Sequence, residues 1–305
     1  MILPDTAFLH RLADLADAET MPRYRTDIAV DAKVKEGYSF DPVTEADREA
    51  EVAIRAEIGA HFPDHAILGE EFGLTGSGRV RWVLDPVDGT RPFICGLPVW
   101  GTLIGLTVDG RAELGMMSQP FTRERFWADR DGAWTERDGV RRPLATRDVG
   151  SLDRAILHTT SPEHFGDDLA PGFARLKAAV RMIRYGGECY AMAMIAVGRI
   201  DLAIEPSLQP YDIVADPDHR ARGRCRHAAR RRAGGGRRRG AGRRDSGTPC
   251  RSIADPGIVG ERRSAAKRGS RAQDVIWGLL WRVGDAVSRD PRRANSRQHV
   301  RQRPA

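Results

Sequence analysis

The chain has 305 residues, 41% hydrophobic and 30% charged, enough for one large domain or two ordinary ones and too long for a disulfide-stapled miniprotein. Its formal charge of +7 averages two unlike parts: residues 1–215 hold 24 Lys+Arg against 34 Asp+Glu, whereas residues 216–305 hold 25 against 8. The longest mostly apolar stretch, Val99 to Val108, is about half a membrane span, so no transmembrane helix is expected. Residues 5–20 place Phe8, Leu9, Leu12, Leu15 and Ala16 at helical spacing, and residues 44–58 do the same with Ala46, Ala50, Ala53, Ile54 and Ile58; both predict amphipathic helices. Short apolar runs at Ala66–Leu68, Val80–Leu84, Val99–Val108, Ala112–Met117 and Arg125–Ala128, several bounded by Gly, Pro or Asp, predict strands of one sheet. A strand at Ala155–Thr159, helices at Phe173–Val180 and Cys189–Val197, and a strand at Ile200–Glu205 follow, an order that suggests a layered α/β or α+β enzyme.

No internal repeat or low-complexity segment precedes residue 216, but Arg220–Arg244 holds 12 arginines in 25 residues, interleaved with Gly and Ala. This stretch has no apolar face to bury and is expected to be disordered on its own; an arginine-rich arm for nucleic acid is the rival reading. Against that arm, no aromatic residue lies near the arginines and no recognition motif is present. Met1 leads into Asp5, Arg11 and Asp14 without a basic then apolar leader, so the expected location is the cytoplasm. Cys95, Cys189, Cys225 and Cys250 lie far apart without a C-x-x-C pair and are expected to be free thiols.

The densest chemistry lies in Trp82-Val83-Leu84-Asp85-Pro86-Val87-Asp88-Gly89-Thr90, an apolar strand ending in two aspartates three apart, then a glycine and a hydroxyl. Such a turn can aim both carboxylates at one point, with Gly89 leaving backbone amides free for an anion. Ala66-Ile67-Leu68-Gly69-Glu70-Glu71 repeats the pattern of a strand opening onto acids, and Asp47 and Asp212 are further candidates. Carboxylates without nearby Cys or His favour Mg²⁺ over Zn²⁺. Taken singly, each acid also fits a solvated turn, and Thr44-x-x-Asp47 fits a helix capping box.

Asp85-Pro-Val-Asp88-Gly89-Thr90, preceded by Gly69-Glu70-Glu71 and Pro42-Val43-Thr44-Glu45-Ala46-Asp47 and followed by Tyr211-Asp212-Ile213-Val214-Ala215, resembles the inositol monophosphatase family over about residues 5 to 215. Gly96-Leu97-Pro98-Val99-Trp100-Gly101-Thr102, Gln119-Pro120-Phe121-Thr122, Arg184-Tyr185-Gly186-Gly187-Glu188-Cys189-Tyr190 and Leu208-Gln209-Pro210-Tyr211-Asp212 are similar to its bacterial histidinol-phosphate phosphatase branch. The resemblance implies an αβαβα sandwich of the inositol monophosphatase and fructose-1,6-bisphosphatase type. Residues 1–150 would form an α+β half with most metal ligands, 151–215 would begin an α/β half, and 216–305 would be an aberrant tail. It implies that Glu70, Asp85 and the Val87 carbonyl hold one Mg²⁺, that Asp85, Asp88 and Asp212 hold a second, and that a weaker third lies near Glu70. Gly89 and Thr90 would meet the phosphate, Thr90 and Asp47 would orient the metal-activated water, and Arg184, Glu188 and Glu205 would contact the alcohol. The implied activity is hydrolysis of a small phosphate monoester, L-histidinol phosphate first and inositol 1-phosphate as the alternative, by a homodimer with no membrane partner. Aspartate-nucleophile phosphatases space their aspartates two apart, not three, so no phosphoenzyme is expected.

The resemblance breaks after Ala215. The family continues approximately L-I-P-I-I-E-x-A-G-G-V-V-T, whereas this chain reads Asp216-Pro217-Asp218-His219-Arg220-Ala221-Arg222-Gly223-Arg224-Cys225-Arg226-His227. Regrouping generic codons for these residues one base later yields AYC, CNG, AYC, AYC, GNG, CNC, GNG, GNC, GNT and GYC, which permit I-P-I-I-E-x-A-G-G-V in order. The expectation is a shifted reading frame near codon 215, an uncovered sheet, an Asp212 poorly held because Asp216-Pro217 stops its helix, and weak or absent activity for the chain as written. The apolar island Val275–Val283 is expected to be at most a short amphipathic helix.

Overall fold

The computed structural model describes residues 3–33, 41–206 and 208–215; the expectations for the tail, including Val275–Val283, Cys225 and Cys250, fall outside the described residues. The chain opens with α1 (Thr6–Thr20), whose N-terminus is capped by the Asp5 carboxylate accepting from Phe8 N. A short antiparallel pair, β1 (Val30–Lys33) and β2 (Asp41–Thr44), leads into α2 (Glu45–His61). Next come β3 (Ala66–Gly69), β4 (Gly73–Thr75), β5 (Val80–Asp88) and the five-residue α3 (Thr90–Ile94). An antiparallel run follows: β6 (Gly101–Val108), β7 (Arg111–Gln119), β8 (Glu124–Asp129), β9 (Gly132–Arg137) and β10 (Val140–Pro143). The last described part holds β11 (Ile156–Thr159), α4 (Ala170–Ala179), β12 (Met182–Tyr185), α5 (Glu188–Ala196), β13 (Leu202–Ala203) and α6 (Pro210–Ile213).

The large sheet has eight strands in the order β10-β9-β8-β7-β6-β5-β3-β4, antiparallel except where β3 runs parallel to β5. Alternation gives it two apolar faces. Trp82, Leu84, Ile104, Leu106, Met116 and Trp127 pack against Leu9, Leu12, Ala13, Ile54 and Ile58 of α1 and α2. On the opposite face Leu103, Met117 and Phe126 meet Cys189 and Ala193 of α5 and Ala215. A second sheet, parallel and three-stranded in the order β12-β11-β13, lies beyond α5, and Phe173 and Leu176 of α4 pack on it with Leu157 and Leu202. The layers therefore alternate helix, sheet, helix, sheet, helix.

Val99–Val108 yields a strand only from Gly101, the helix expected at Phe173 begins at Ala170, and the strand expected over Ile200–Glu205 shortens to Leu202–Ala203. Gly105 and Gly115 face each other in the β6–β7 register. A Cβ on Gly105 would lie 2.6 Å from Val214 Cγ1 and 3.0 Å from Ala215 N, and one on Gly115 would lie 2.6 Å from Ala215 O. The two bare backbones form a seat into which residues 214–215 settle, and Ala215 is fully buried there. Cys95 is exposed and Cys189 buried, and neither is disulfide-bonded. Among the described residues no helix is long and apolar enough to cross a membrane.

Candidate metal centre

Strand β5 runs into the site along its buried length and pairs regularly with β6 until the register shifts between Asp85 and Asp88. That bulge bends the strand end, and the Thr102 hydroxyl pins it by donating to Pro86 O at 2.8 Å. Asp85 is 2% exposed and its Oδ1 has no hydrogen-bond partner, while Asp88 Oδ2 accepts from Cys189 N at 2.8 Å. Asp212 arrives from α6, where its Oδ2 accepts from Gln209 N at 2.6 Å and closes a capping box. Oxygens of Asp85, Asp88 and Asp212 all lie within 4.8 Å of one another. Asp212 thus lies beside Asp85 and Asp88 at the end of a four-residue helix, with residues 214–215 seated on the β6–β7 glycines; the expectation built on Asp216-Pro217 falls outside the described residues.

Burial, then the charges of Glu70, Asp88 and Asp212, lift the Asp85 carboxyl well above its ordinary range; burial, then Glu188, pushes Asp88 up to about 7. Acids raised by one another's charge are relieved by a cation, and an orphaned buried oxygen is one ligand position ready to accept it. The donors are all oxygens. The nearby Cys189 thiol is pushed far up by burial, then by Asp88, and so offers no thiolate. This set fits a hard divalent ion.

Glu70 and Glu71 follow β3, and the Lys33 ammonium joins them at 3.1 Å and 2.5 Å. Burial, against the pull of Lys33, pushes Glu71 up to about 7. Asp47 sits at the third position of α2 and divides its carboxylate. Its Oδ2 accepts from Thr44 N and Oγ1 to cap the helix, and its Oδ1 accepts from Thr90 Oγ1 at 3.0 Å. The capping box and a role at the site are therefore both present in one side chain. The Val87 carbonyl is the other acceptor near Thr90 Oγ1, at 3.2 Å. Gly89 precedes α3 with φ of 86°, and a Cβ there would meet Glu188 Cγ at 3.0 Å.

Across α3, Glu188 and Glu205 converge on Thr160: Thr160 N donates to Glu205 Oε1 at 2.6 Å and Thr160 Oγ1 to Glu188 Oε2 at 3.3 Å. Glu188 holds a left-handed φ of 44°, strained for a residue with a side chain, as its amide-bearing turn reaches Asp88. Burial lifts Glu188 and takes Glu205 to about 7. Arg184 is exposed on β12, opposite His158 in the β11 register. His158 is 1% exposed, its ring nitrogens make no hydrogen bond although Nδ1 lies 3.9 Å from Glu205 Oε1, and burial, then Arg184, lowers it to about 4. Lys33, His158, Thr160 and the Cys189 amide were not among the residues expected at the site. Lys33 and Thr160 enter through pairings between distant segments, which local spacing does not encode.

A family profile described as the inositol monophosphatase family matches residues 4–216. The chain is 43% identical over 179 residues to the bifunctional phosphatase IMPL2, chloroplastic, of Arabidopsis thaliana, covering 58% of this chain and 51% of that protein, so it spans about half that relative's length. It is 37% identical over 221 residues to the histidinol-phosphatase of Streptomyces coelicolor, covering 70% of this chain and 82% of that one. Among solved structures, an inositol monophosphatase from Zymomonas mobilis superposes with a TM-score of 0.61 at 37% identity, covering 71% of this chain and 81% of that one.

Proposed function

Since the chain belongs to the inositol monophosphatase family, whose members are metal-dependent phosphoric monoester hydrolases, we propose that it is built to hydrolyse L-histidinol phosphate with Mg²⁺ as cofactor. The observation that carries this reading is the convergence of Asp85, Asp88 and Asp212 within 4.8 Å around an oxygen of Asp85 that no protein donor reaches. Glu70, Asp85 and the Val87 carbonyl would hold one ion, and Asp85, Asp88 and Asp212 a second. When bound, the ions neutralise the ester phosphate and make water a stronger nucleophile at neutral pH.

The protein's own groups orient that water. The Thr90 hydroxyl has one proton and two acceptors, and the Asp47 carboxyl oxygen at 3.0 Å is nearer than the Val87 carbonyl at 3.2 Å. With its proton committed to Asp47, Thr90 Oγ1 turns its lone pairs outward and accepts from the attacking water. Gly89, whose φ of 86° strains any residue with a side chain, leaves the turn amides open to the phosphate. Glu188 and Glu205, tied to one another through Thr160, present carboxylates to the alcohol, with Arg184 at the rim; an amino alcohol gives them a cation to meet. Similarity to histidinol-phosphatases supports this substrate over inositol 1-phosphate.

The test is phosphate release from L-histidinol phosphate and inositol 1-phosphate, with and without Mg²⁺. The assay is run on this chain and on a version restored to the other frame after codon 215, and Asp88→Asn is expected to abolish release in whichever of the two is active. Release by Asp88→Asn at the parent rate sinks the assignment. The reading also covers location, a soluble cytoplasmic homodimer, and the coding of residues 216–305, which we take to be out of frame. An independent clone with the same unbroken frame rejects that last part.

A further inference from the structure

We infer that Glu51 is a positioning residue for the metal centre, holding the hairpin that carries Glu70. The inference rests on the metal reading above. Glu51 lies one helical turn beyond Asp47 on α2, is completely buried, and spends its hydrogen bonds on Arg55, Glu71 and Phe72. Its Oε2 accepts from Glu71 N at 2.8 Å, and its Oε1 from Phe72 N at 3.3 Å and Arg55 Nε at 2.6 Å. Arg55, a further turn along, donates to Gly73 O at 2.6 Å and to Thr75 Oγ1 at 2.8 Å. The pair thus grips the β3–β4 hairpin at four residues, Glu71, Phe72, Gly73 and Thr75.

The hairpin is shaped to receive this grip. A Cβ on Gly69 would overlap the Glu51 carboxylate itself, so the glycine immediately before Glu70 exists here as room for that carboxylate. On its other side the Glu70 amide donates to Leu84 O, so Glu70 is held between β5 and the α2 clamp. Residues 47, 51 and 55 form one stripe of α2, because side chains four apart share a helix face. A single rigid helix therefore sets both Thr90, through Asp47, and Glu70, through Glu51 and Arg55. A buried carboxylate that accepts from an arginine and two amides fixes direction as well as distance. Partners one step removed from a metal ligand of this kind are typically worth about 10- to 100-fold in metal affinity.

The experiment is a manganese titration of the full chain followed by electron paramagnetic resonance, with thermal unfolding of the same samples. Glu51→Gln keeps the shape but turns an NH₂ toward one of three donors, and is expected to weaken manganese binding by about tenfold or more. Arg55→Lys keeps the charge, loses the fork to Gly73 and Thr75, and is expected to weaken it by a smaller factor; it carries the test if Glu51→Gln does not fold. Ile54→Val thins the core face of the same helix without touching the hairpin and is expected to lower thermal stability while leaving manganese affinity unchanged. Affinity within about twofold of the parent in Glu51→Gln and Arg55→Lys overturns the inference, as does an equal loss in Ile54→Val. A parent chain that binds manganese no better than Asp88→Asn overturns the metal reading instead, and this inference falls with it.

Discussion

Glu205 shows how burial of an acid at the proposed alcohol site is opposed to stability. Its carboxyl rises from an ordinary 4.5 to about 7, chiefly through burial. The native state therefore holds this proton more tightly than the unfolded chain. The contribution to stability is complete below about 4.5 and is lost as pH rises through about 7. His158 has the opposite sign, since its value falls to about 4 and the unfolded chain takes its proton first. Its Nδ1 lies 3.9 Å from Glu205 Oε1, so the comparison of parent and variant is repeated in a His158→Ala background to separate the two titrations. Glu205→Gln retains a carbonyl oxygen for Thr160 N and is expected to be more stable than the parent by on the order of 2 kcal/mol above pH 7, with no difference below about pH 4.5. Urea unfolding across that range checks it, and a constant difference at every pH removes the titration as cause. Residues such as Asp85, Asp88 and Thr90 were legible because their chemistry is packed into one turn. Glu51 was not, although an acid in the middle of an apolar helix face, between Ala50 and Ile54, was the signal available.

Helix α2 and helix α6 do comparable work at very different lengths. The first was visible from its period, while α3 and α6, at five and four residues, are too short to show one. Strand β12 was missed because its burial alternates only between exposed and intermediate, and β9 because every position but the last is half-buried. Their partners in the sheet, not their own composition, make them strands. Short α6 is held by what lies under its C-terminal end, which gives an element-scale prediction. Gly115→Ala sets a Cβ against the Ala215 carbonyl, backbone that cannot swing away, and is expected to cost about 1–3 kcal/mol and to loosen Asp212. Gly59→Ala, on α2 with nothing within 4 Å, is expected to gain about 0.5–1 kcal/mol. Equal effects at the two positions in chemical denaturation contradict the seat.

At the scale of the molecule, the layers were legible from the order of helices and strands, and the family from its clustered acids. The small sheet is where the described chain is least complete. β13 is two residues long and, among the described residues, pairs only with β11, so no described strand lies on its other side. A gene restored to the other frame after codon 215 is expected to yield a protein that releases phosphate at least about tenfold faster than this chain and remains soluble at higher concentration. Equal turnover by the two proteins would show that residues 1–215 hold all that catalysis requires. The facing glycines of β6 and β7 bear on how such a repair can be made. They moor the polypeptide at residues 214–215 whatever is joined to it, so every downstream sequence departs from one fixed doorway. On the frame reading proposed above, the downstream segment need not be covalently attached: a separate peptide translated in the other frame is expected to dock beside that doorway, and phosphate release raised by adding it would show so.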